Sequence, residues 1–425
     1  MVKSLFNVIK TIDGDSWIYN TLTSSFIKIA SETWGSLPDS SDKELLQVLH
    51  REGILVDDNE TEILKYKYFC YSKIFNNTKL SLAIAPTMKC NFDCPYCFEG
   101  DHKTFSKMSE EIENALVLFI EKQYEQKKNI HLTWFGGEPL LAFDTILSIC
   151  TKLDNKEVVY SSDIITNGSL LKEEIVEKLH YLHITRIQIT LDGTADTHNQ
   201  RRHYKNGNPS FDDIINNIDI LLNKTDIKLI IQVGVDNSNP YAYQELYNFM
   251  HDKYPSYLNN KRMQIGCNNI RNRTNFDGCQ SCFTDKQIFD KNIENLKENK
   301  YDVLIPRLPG LNLPCMFRTT NSFAIDSQGN IYKCLEYLGI PELKIGNVCE
   351  GQISFSKMAN TVFGNSPFND TECCSCNVFP ICGGGCPIDR NRNKGKSTKT
   401  YCTYYKKYLS EMLPYLYEYR RNNKS

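Results

Sequence analysis

The sequence predicts an α/β protein built on a parallel sheet, with a small α+β segment before it and a cysteine-rich segment after it. Three observations carry this. Between about residues 80 and 270, apolar runs of strand length alternate with amphipathic helical stretches, and repeated βα units require a parallel sheet because parallel neighbours are joined by crossovers. The chain has 425 residues, 41% hydrophobic and 24% charged, enough for two or three cores. Of its 17 cysteines, twelve fall in two groups, three near residue 90 and nine beyond residue 310.

In chain order, residues 1–70 read as a separate unit. DSWIYNTLTSSFIKI gives two short strands and a turn, KELLQVLHREGILV a helix leading into a strand at Gly53, and DDNETEILKY an acidic connection. The sheet follows: LSLAIAP then SEEIENALVLFIEKQYEQ, IHLTWFG then LLAFDTILSICTKL, VVYSSDIIT then LLKEEIVEKLHYL. ITRIQITLDG then FDDIINNIDILLN, IKLIIQVGVD then YAYQELYNFMHDKY, and a last strand RMQIGCNNI complete six strands and five helices. The alternation alone leaves open whether the sheet is doubly wound or a barrel. Residues 276–310 read as a linker and 311–425 as the cysteine-rich domain.

Charge and hydropathy exclude several classes. A formal net charge of −2 gives no basic field for nucleic acid and no acidic one for a polycation. The start, MVKSLFNVIKTIDGDSW, has no apolar signal core, and no uninterrupted apolar run reaches the ~18 residues of a membrane span. A cytoplasmic location with no membrane partner is expected, where thiols stay reduced and cysteine groups point to metal or cluster binding rather than disulfides. Cys70 and Cys150, alone among apolar residues, read as core residues.

The run CNFDCPYCF places Cys90, Cys94 and Cys97 on one short loop. Three thiolates can hold one ion or cluster but leave a four-ligand shell open; structural zinc sites are normally closed, whereas an iron–sulfur cluster on three cysteines keeps one iron available. With Tyr96 before the last cysteine, the run resembles the CxxxCxxC signature of radical S-adenosylmethionine (SAM) enzymes. The resemblance implies a partial (β/α)6 TIM-like barrel over residues 78–275, with the cysteine loop after its first strand. It also implies a [4Fe-4S] cluster whose fourth iron chelates SAM, and reductive cleavage to a 5'-deoxyadenosyl radical that abstracts hydrogen. Cys90, Cys94 and Cys97 are then both metal ligands and catalytic residues, and an electron donor such as flavodoxin or ferredoxin is a partner.

The strand ends carry further marks of the same family. Gly136, Gly137 and Glu138, followed by Pro139, resemble the GGE motif that holds the SAM amino group; glycine permits close approach and a carboxylate complements an ammonium. Asn167, in Thr166-Asn167-Gly168, ends the third strand. Thr190 and Asp192, in Thr190-Leu191-Asp192-Gly193, end the fourth, where relatives usually have Ser-Leu-Asp-Gly near the ribose; threonine keeps the hydroxyl. His198 and Arg202 match a histidine and arginine of the subgroup. Tyr96, Gly136, Gly137, Glu138, Asn167, Thr190, Asp192 and Arg202 are the expected cofactor-binding residues, and function is expected at the strand C-termini, as in other barrels.

The second group runs Cys315-x13-Gly329-x4-Cys334, then Cys373-x2-Cys376-x5-Cys382-x3-Cys386, with Cys402 fifteen residues later. A zinc module would use similar spacings, but the pattern is similar to the SPASM domain, which carries two auxiliary [4Fe-4S] clusters. The resemblance assigns Cys373, Cys376, Cys382 and Cys402 to the outer cluster, and Cys315, Cys334 and Cys386 to the inner one, making three [4Fe-4S] clusters with SAM as cofactors. The inner cluster lacks a fourth motif ligand. Either Cys349, Cys279, Cys282 or Cys267 completes it, or one iron stays open for a substrate thiolate. Gly383-Gly384-Gly385 lacks the Lys-Ser/Thr ending of a phosphate loop and reads as a turn letting Cys382 and Cys386 face different clusters.

The residues and the resemblance together predict an enzyme that abstracts hydrogen from a residue of a precursor peptide or protein and installs an oxidative modification, such as a thioether or another crosslink. The N-terminal region resembles the small domains of ribosomal-peptide maturases that dock a leader by strand addition. An alternative is anaerobic sulfatase maturation, in which an aspartate usually follows the second SPASM cysteine as base. Here Leu335 and Glu336 follow Cys334, and Glu336 is the candidate base. A non-enzymatic cluster scaffold is the remaining reading.

Overall fold

A computed structural model describes residues 1–76, 78–97, 99, 107–125, 129–270, 281–298, 310–312, 314–392 and 402–422. The chain divides into two compact units, one of Asn77–Phe283 with Asn321–Met358, the other of Met1–Asn76, Thr284–Thr320 and Ala359–Ser425.

The first unit holds the barrel strands β1 Lys79–Ile84, β2 Asn129–Trp134, β3 Tyr160–Thr166, β4 Ile184–Thr190, β5 Lys228–Val235 and β6 Met263–Asn269. All five pairings between them are parallel and run in strict chain order. That order settles what alternation left open: a doubly wound sheet reverses strand order at a switch point, and this one does not. On β5, Leu229, Ile231, Val233 and Val235 are buried while Ile230, Gln232 and Gly234 between them are partly exposed, so one face packs under helices and the other faces the opening.

The helices between strands read as their sequences predict. Helix α1, Glu110–Tyr124, starts at Ser109, whose hydroxyl accepts from the Ile112 N–H, with Glu110, Glu111 and Glu113 in its first turn, satisfying an orphan donor and matching the helix dipole. Helix α2, Phe143–Asp154, buries Ile146, Ile149, Cys150 and Leu153, so Cys150 is a core residue as expected. One segment differs. In place of a helix over 170–182 stand a single turn at Glu173–Val176 and a 3-10 turn at Leu179–Leu182. Buried Val176, Leu179 and Leu182 recur every three residues, the spacing that a three-residue turn brings to one face.

After the short helix α3 Ala195–Arg201, helix α4 Phe211–Lys224 and helix α5 Ala242–Lys253, the sheet gains strands beyond the barrel. Strand β7, Ser322–Ile325, pairs parallel to β1, and β8 Asn330–Tyr332, β9 Gly346–Asn347 and β10 Gln352–Ile353 continue it antiparallel. Residues 321–358, read from sequence with the cysteine-rich domain, thus share a sheet with the barrel.

In the other unit, Asn7–Ile12, Asp15–Asn20 and Phe26–Ala30 form a three-stranded antiparallel sheet. Its inward Val8, Trp17 and Tyr19 pack with Val378, Ile381, Cys382, Leu409 and Leu413, so the N-terminal sheet completes its core with C-terminal residues. The expected acidic connection is instead a helix, Asn59–Ile74, capped by Asp58, which accepts from Thr61 N–H at 2.7 Å. The acidic run that reads as a loop is a helix start, with Glu60 and Glu62 at the positive end of the dipole. Among the described residues no helix is long and apolar enough to cross a membrane.

Candidate active site

The cysteine loop leaves β1 and is fastened to three neighbouring segments. A Cβ on Gly137 would stand 2.3 Å from the Lys89 carbonyl oxygen, and one on Gly136 2.5 Å from that of Thr87; the backbone also bonds from Glu138 N–H to Lys89 O at 2.8 Å. The glycines therefore serve a close approach to the chain's own loop.

Glu138 follows these glycines directly. Its carboxylate is fully buried and accepts from Thr166 Oγ1 (2.7 Å), Asn167 N–H (2.7 Å) and Leu140 N–H (3.1 Å). Burial raises its pKa, with those bonds opposing. The carboxylate ties the end of β2 to the end of β3. Asn167 then reaches the loop itself, donating from Nδ2 to Asn91 Oδ1 at 2.8 Å and facing the Cys90 sulfur at 3.9 Å, while Asn91 donates to Ser169 Oγ at 2.9 Å.

On its other side the loop meets the segment after α3. Phe92 pairs as an antiparallel bridge with Tyr204, their rings edge to face at 5.0 Å. Tyr96 donates its phenol proton to Asp192 and accepts from Arg202 Nη1 at 2.8 Å. Asp192 is fully buried, and Arg201 clamps it, donating from Nε at 3.1 Å while its two terminal nitrogens grip Asp236 at 3.3 and 3.2 Å. Bidentate guanidinium–carboxylate pairing of this kind is geometrically exacting. Beneath lies His198, fully buried. Its Nδ1 accepts from Asp192 N–H at 3.3 Å, so the ring is neutral with its proton on Nε2, which donates to Ser210 Oγ at 3.1 Å; Ser210 in turn donates to Arg202 O at 2.6 Å. Burial, aided by Arg202, drives the His198 pKa down to about 3.

Of the residues singled out from sequence, the structure brings Asn167 to Cys90, and Tyr96 of the same cysteine loop to Asp192 and Arg202. Thr190 ends β4 opposite Gln232 of β5. Sequence reading missed Arg201, Asp236, Gln232, Asn91 and Ser169. Asp236 follows β5 as Asp192 follows β4, so the strand-end rule would have found it; Arg201 is visible only once those two carboxylates stand side by side.

Three buried polar atoms here have no partner among the described residues: Asp192 Oδ1, Arg202 Nε and Gln232 Nε2. Each unmet group costs about 1–3 kcal/mol. An acceptor and two donors beside three thiols suit a ligand rich in both, and SAM, with its ribose hydroxyls and amino-acid end, has that chemistry. Cys90, Cys94 and Cys97 are the residues to hold a [4Fe-4S] cluster beside it.

The second cysteine group lies in the other unit. Cys373, Cys376, Cys382 and Cys402 line one pocket together with Val378 and Phe379, the four-thiol set assigned to the outer cluster. Arg390 donates to Cys373 Sγ at 3.4 Å and pairs with Asp370 at 3.0 Å. Among the described residues no three His, Cys, Asp or Glu side chains converge on a single-ion site; these thiols surround a space instead. Cys315 is exposed and Cys386 half-buried in this unit, while Cys334 precedes a 3-10 turn of the barrel unit that carries half-buried Glu336. Of the fourth-ligand candidates, Cys349 is exposed, Cys267 half-buried on β6, Cys282 half-buried, and Cys279 outside the described residues.

A partial parallel barrel with a three-cysteine loop at the strand C-termini defines a cluster-dependent, SAM-using class of enzyme. Residues 84–250 match the Radical SAM superfamily; the chain carries a Radical SAM domain and is an enzyme. It is 25% identical over 369 residues to the cysteine-type anaerobic sulfatase-maturating enzyme of Clostridium novyi, covering 78% of this chain and 95% of that one. The fold is shared with native anSMEcpe with bound AdoMet (TM-score 0.59, 20% identity, 81% of this chain and 97% of that one). It is also shared with Streptococcus suis SuiB bound to precursor peptide SuiA (TM-score 0.56, 17% identity, 94% and 99%). A Radical SAM domain implies a [4Fe-4S] cluster and SAM.

Proposed function

We propose that this chain is a peptide- or protein-modifying radical SAM enzyme with a SPASM-type segment and three [4Fe-4S] clusters, installing an oxidative modification such as a thioether or another crosslink. The observation that carries it is the pairing of an open three-cysteine loop at a barrel mouth with a separate pocket lined by four thiols. When bound, SAM and its cluster would supply a carbon radical able to take hydrogen from unactivated C–H bonds. The chain's own residues hold the loop through Glu138, Asn167, Tyr96 and Arg202. Clusters held by the thiols of Cys373, Cys376, Cys382 and Cys402, and by the set that the SPASM resemblance implies, Cys315, Cys334 and Cys386, would suit as acceptors for the electron released on crosslinking.

Similarity along the chain to a sulfatase-maturating enzyme supports a second reading, formylglycine formation. Leu335 and Glu336, where an aspartate would be expected, weigh toward the crosslinking reading. The test is anaerobic: reconstituted protein should carry about twelve irons per chain and form 5'-deoxyadenosine on reduction. A short peptide encoded beside it should then lose two hydrogens per crosslink. A sulfatase peptide converted to a hydrazide-reactive aldehyde would establish the second reading instead, and protein with fewer than about four irons and no nucleoside product would refute both.

A further inference from the structure

We infer that Arg390 sets the reduction potential of the outer auxiliary cluster, acting through Cys373: its guanidinium donates to the Cys373 sulfur and favours the reduced state. This rests on the reading above in which Cys373, Cys376, Cys382 and Cys402 hold that cluster.

All the residues concerned lie in one compact unit. Arg390 stands one turn past Cys386 on the short helix Pro387–Arg392, its backbone N–H bonded to the Cys386 carbonyl at 3.0 Å. From there the side chain reaches back to the thiol pocket. Nη1 donates to Cys373 Sγ at 3.4 Å and to the Gly384 carbonyl at 3.0 Å, while Nη2 donates to Asp370 Oδ2 at 3.0 Å. Cys373 and Gly384 both line the pocket that the other three thiols share. Asp370 also accepts from the N–H groups of Glu372 at 3.1 Å and Cys373 at 3.4 Å, so one carboxylate fixes both the guanidinium and the backbone of the cysteine it contacts.

An arginine present only to pair with Asp370 would need no contact with sulfur. Here the guanidinium is 10% exposed and its partner carboxylate 17%, and one of its N–H groups ends on Sγ. A thiol is a weak acceptor, whereas a thiolate makes the bond charge-assisted. The contact is therefore strongest when the four thiols ligate a cluster. Hydrogen bonds to the sulfurs are one of the levers that set iron–sulfur potentials. Reduction adds one electron and no proton, and the added negative charge is shared with the ligating sulfurs. A cationic donor stabilises that state more than the oxidised one and raises the potential. The Asp370 charge acts in the opposite direction. In the proposed reaction the electron comes from the substrate carbon radical as the new bond closes, and a raised potential helps the cluster take it.

The test uses the full chain carrying Cys90→Ala, Cys94→Ala and Cys97→Ala, so that only auxiliary clusters remain, reduced stepwise with dithionite and followed by EPR. In this parent Cys376→Ala should remove or displace one midpoint, which marks the outer cluster. A profile that Cys376→Ala leaves untouched would refute the four-thiol reading, and the inference with it. Arg390→Gln should keep the iron content and lower the marked midpoint, making reduction about tenfold less favourable, or ~59 mV for a one-electron couple. A marked midpoint that stays in place or rises overturns the inference and leaves the cluster reading intact. If Arg390→Gln does not fold or does not hold iron, Asp370→Asn decides, because asparagine keeps the cap and removes only the charge. The marked midpoint should then rise; one that is unmoved or lower overturns the inference.

Discussion

The phenol of Tyr96 donates to the carboxylate of Asp192, ninety-six residues further along the chain. Through this bond the cysteine loop is tied to the end of the fourth strand, and through Arg201 to Asp236 at the end of the fifth. Tyr96→Phe keeps the ring, which Arg201 approaches at 5.0 Å, but removes a hydrogen bond to a charged group, worth about 1.5–3 kcal/mol. The expected outcome is unchanged iron content with SAM affinity weakened roughly ten- to a hundred-fold, each tenfold being about 1.4 kcal/mol, measured by equilibrium binding. Unaltered affinity would show that the tie does not set the loop's geometry.

Gly137→Ala tests the fastening at β2. Its Cβ would enter the Lys89 backbone at 2.3 Å, a clash only movement of the cysteine loop relieves. Iron bound at Cys90, Cys94 and Cys97 should fall by most of a cluster, and 5'-deoxyadenosine formation with it. Gly35→Ala, where a Cβ meets nothing within 4 Å, is the control and should leave both intact.

How far the sequence could see depended on whether a residue's partner was local. The barrel was legible because each strand declares itself: Leu229, Ile231, Val233 and Val235 alternate along a single strand. The helix Asn59–Ile74 was not, because Asp58 and Glu60 suit a loop as well as a helix start until the cap is seen. Strand Asn7–Ile12 was also missed, since Lys10 and Thr11 dilute its apolar signal. Among site residues, cysteine spacing exposed the ligands, but Glu138's inward role depends on Thr166 and Asn167 lying across a strand pair. Such pairings leave no mark on either segment alone.

His198 makes the barrel acid-sensitive. In the folded chain its pKa is about 3 against 6.5 for the exposed ring, so between those values the unfolded chain binds an extra proton. Stability from this group is therefore fully present above pH 6.5 and falls as pH drops toward 3, by roughly 1.4 kcal/mol per pH unit. Denaturant unfolding at pH 7.5 and 5.5 should show the decline, and His198→Gln should be less stable at pH 7.5 yet lose less on acidification. An equal loss in both proteins would place the acid sensitivity elsewhere.

The two cysteine groups should separate SAM cleavage from completed modification. Cys94→Ala leaves two thiols on the loop, too few to hold an open cluster, and should abolish 5'-deoxyadenosine formation. Cys376→Ala removes one of the four thiols lining the other pocket while Cys90, Cys94, Cys97 and their supports stay intact. Iron should fall from about twelve toward about eight per chain, SAM cleavage under reduction should persist, and the crosslinked product should be lost. The reasoning is electronic: a radical formed on a peptide must give up an electron before a new bond is left closed-shell, and without an acceptor it is quenched or reverts. Cleavage surviving at more than roughly a tenth of the parent rate with no product places the thiol pocket downstream of radical formation. Full product from Cys376→Ala would remove the pocket from the reaction.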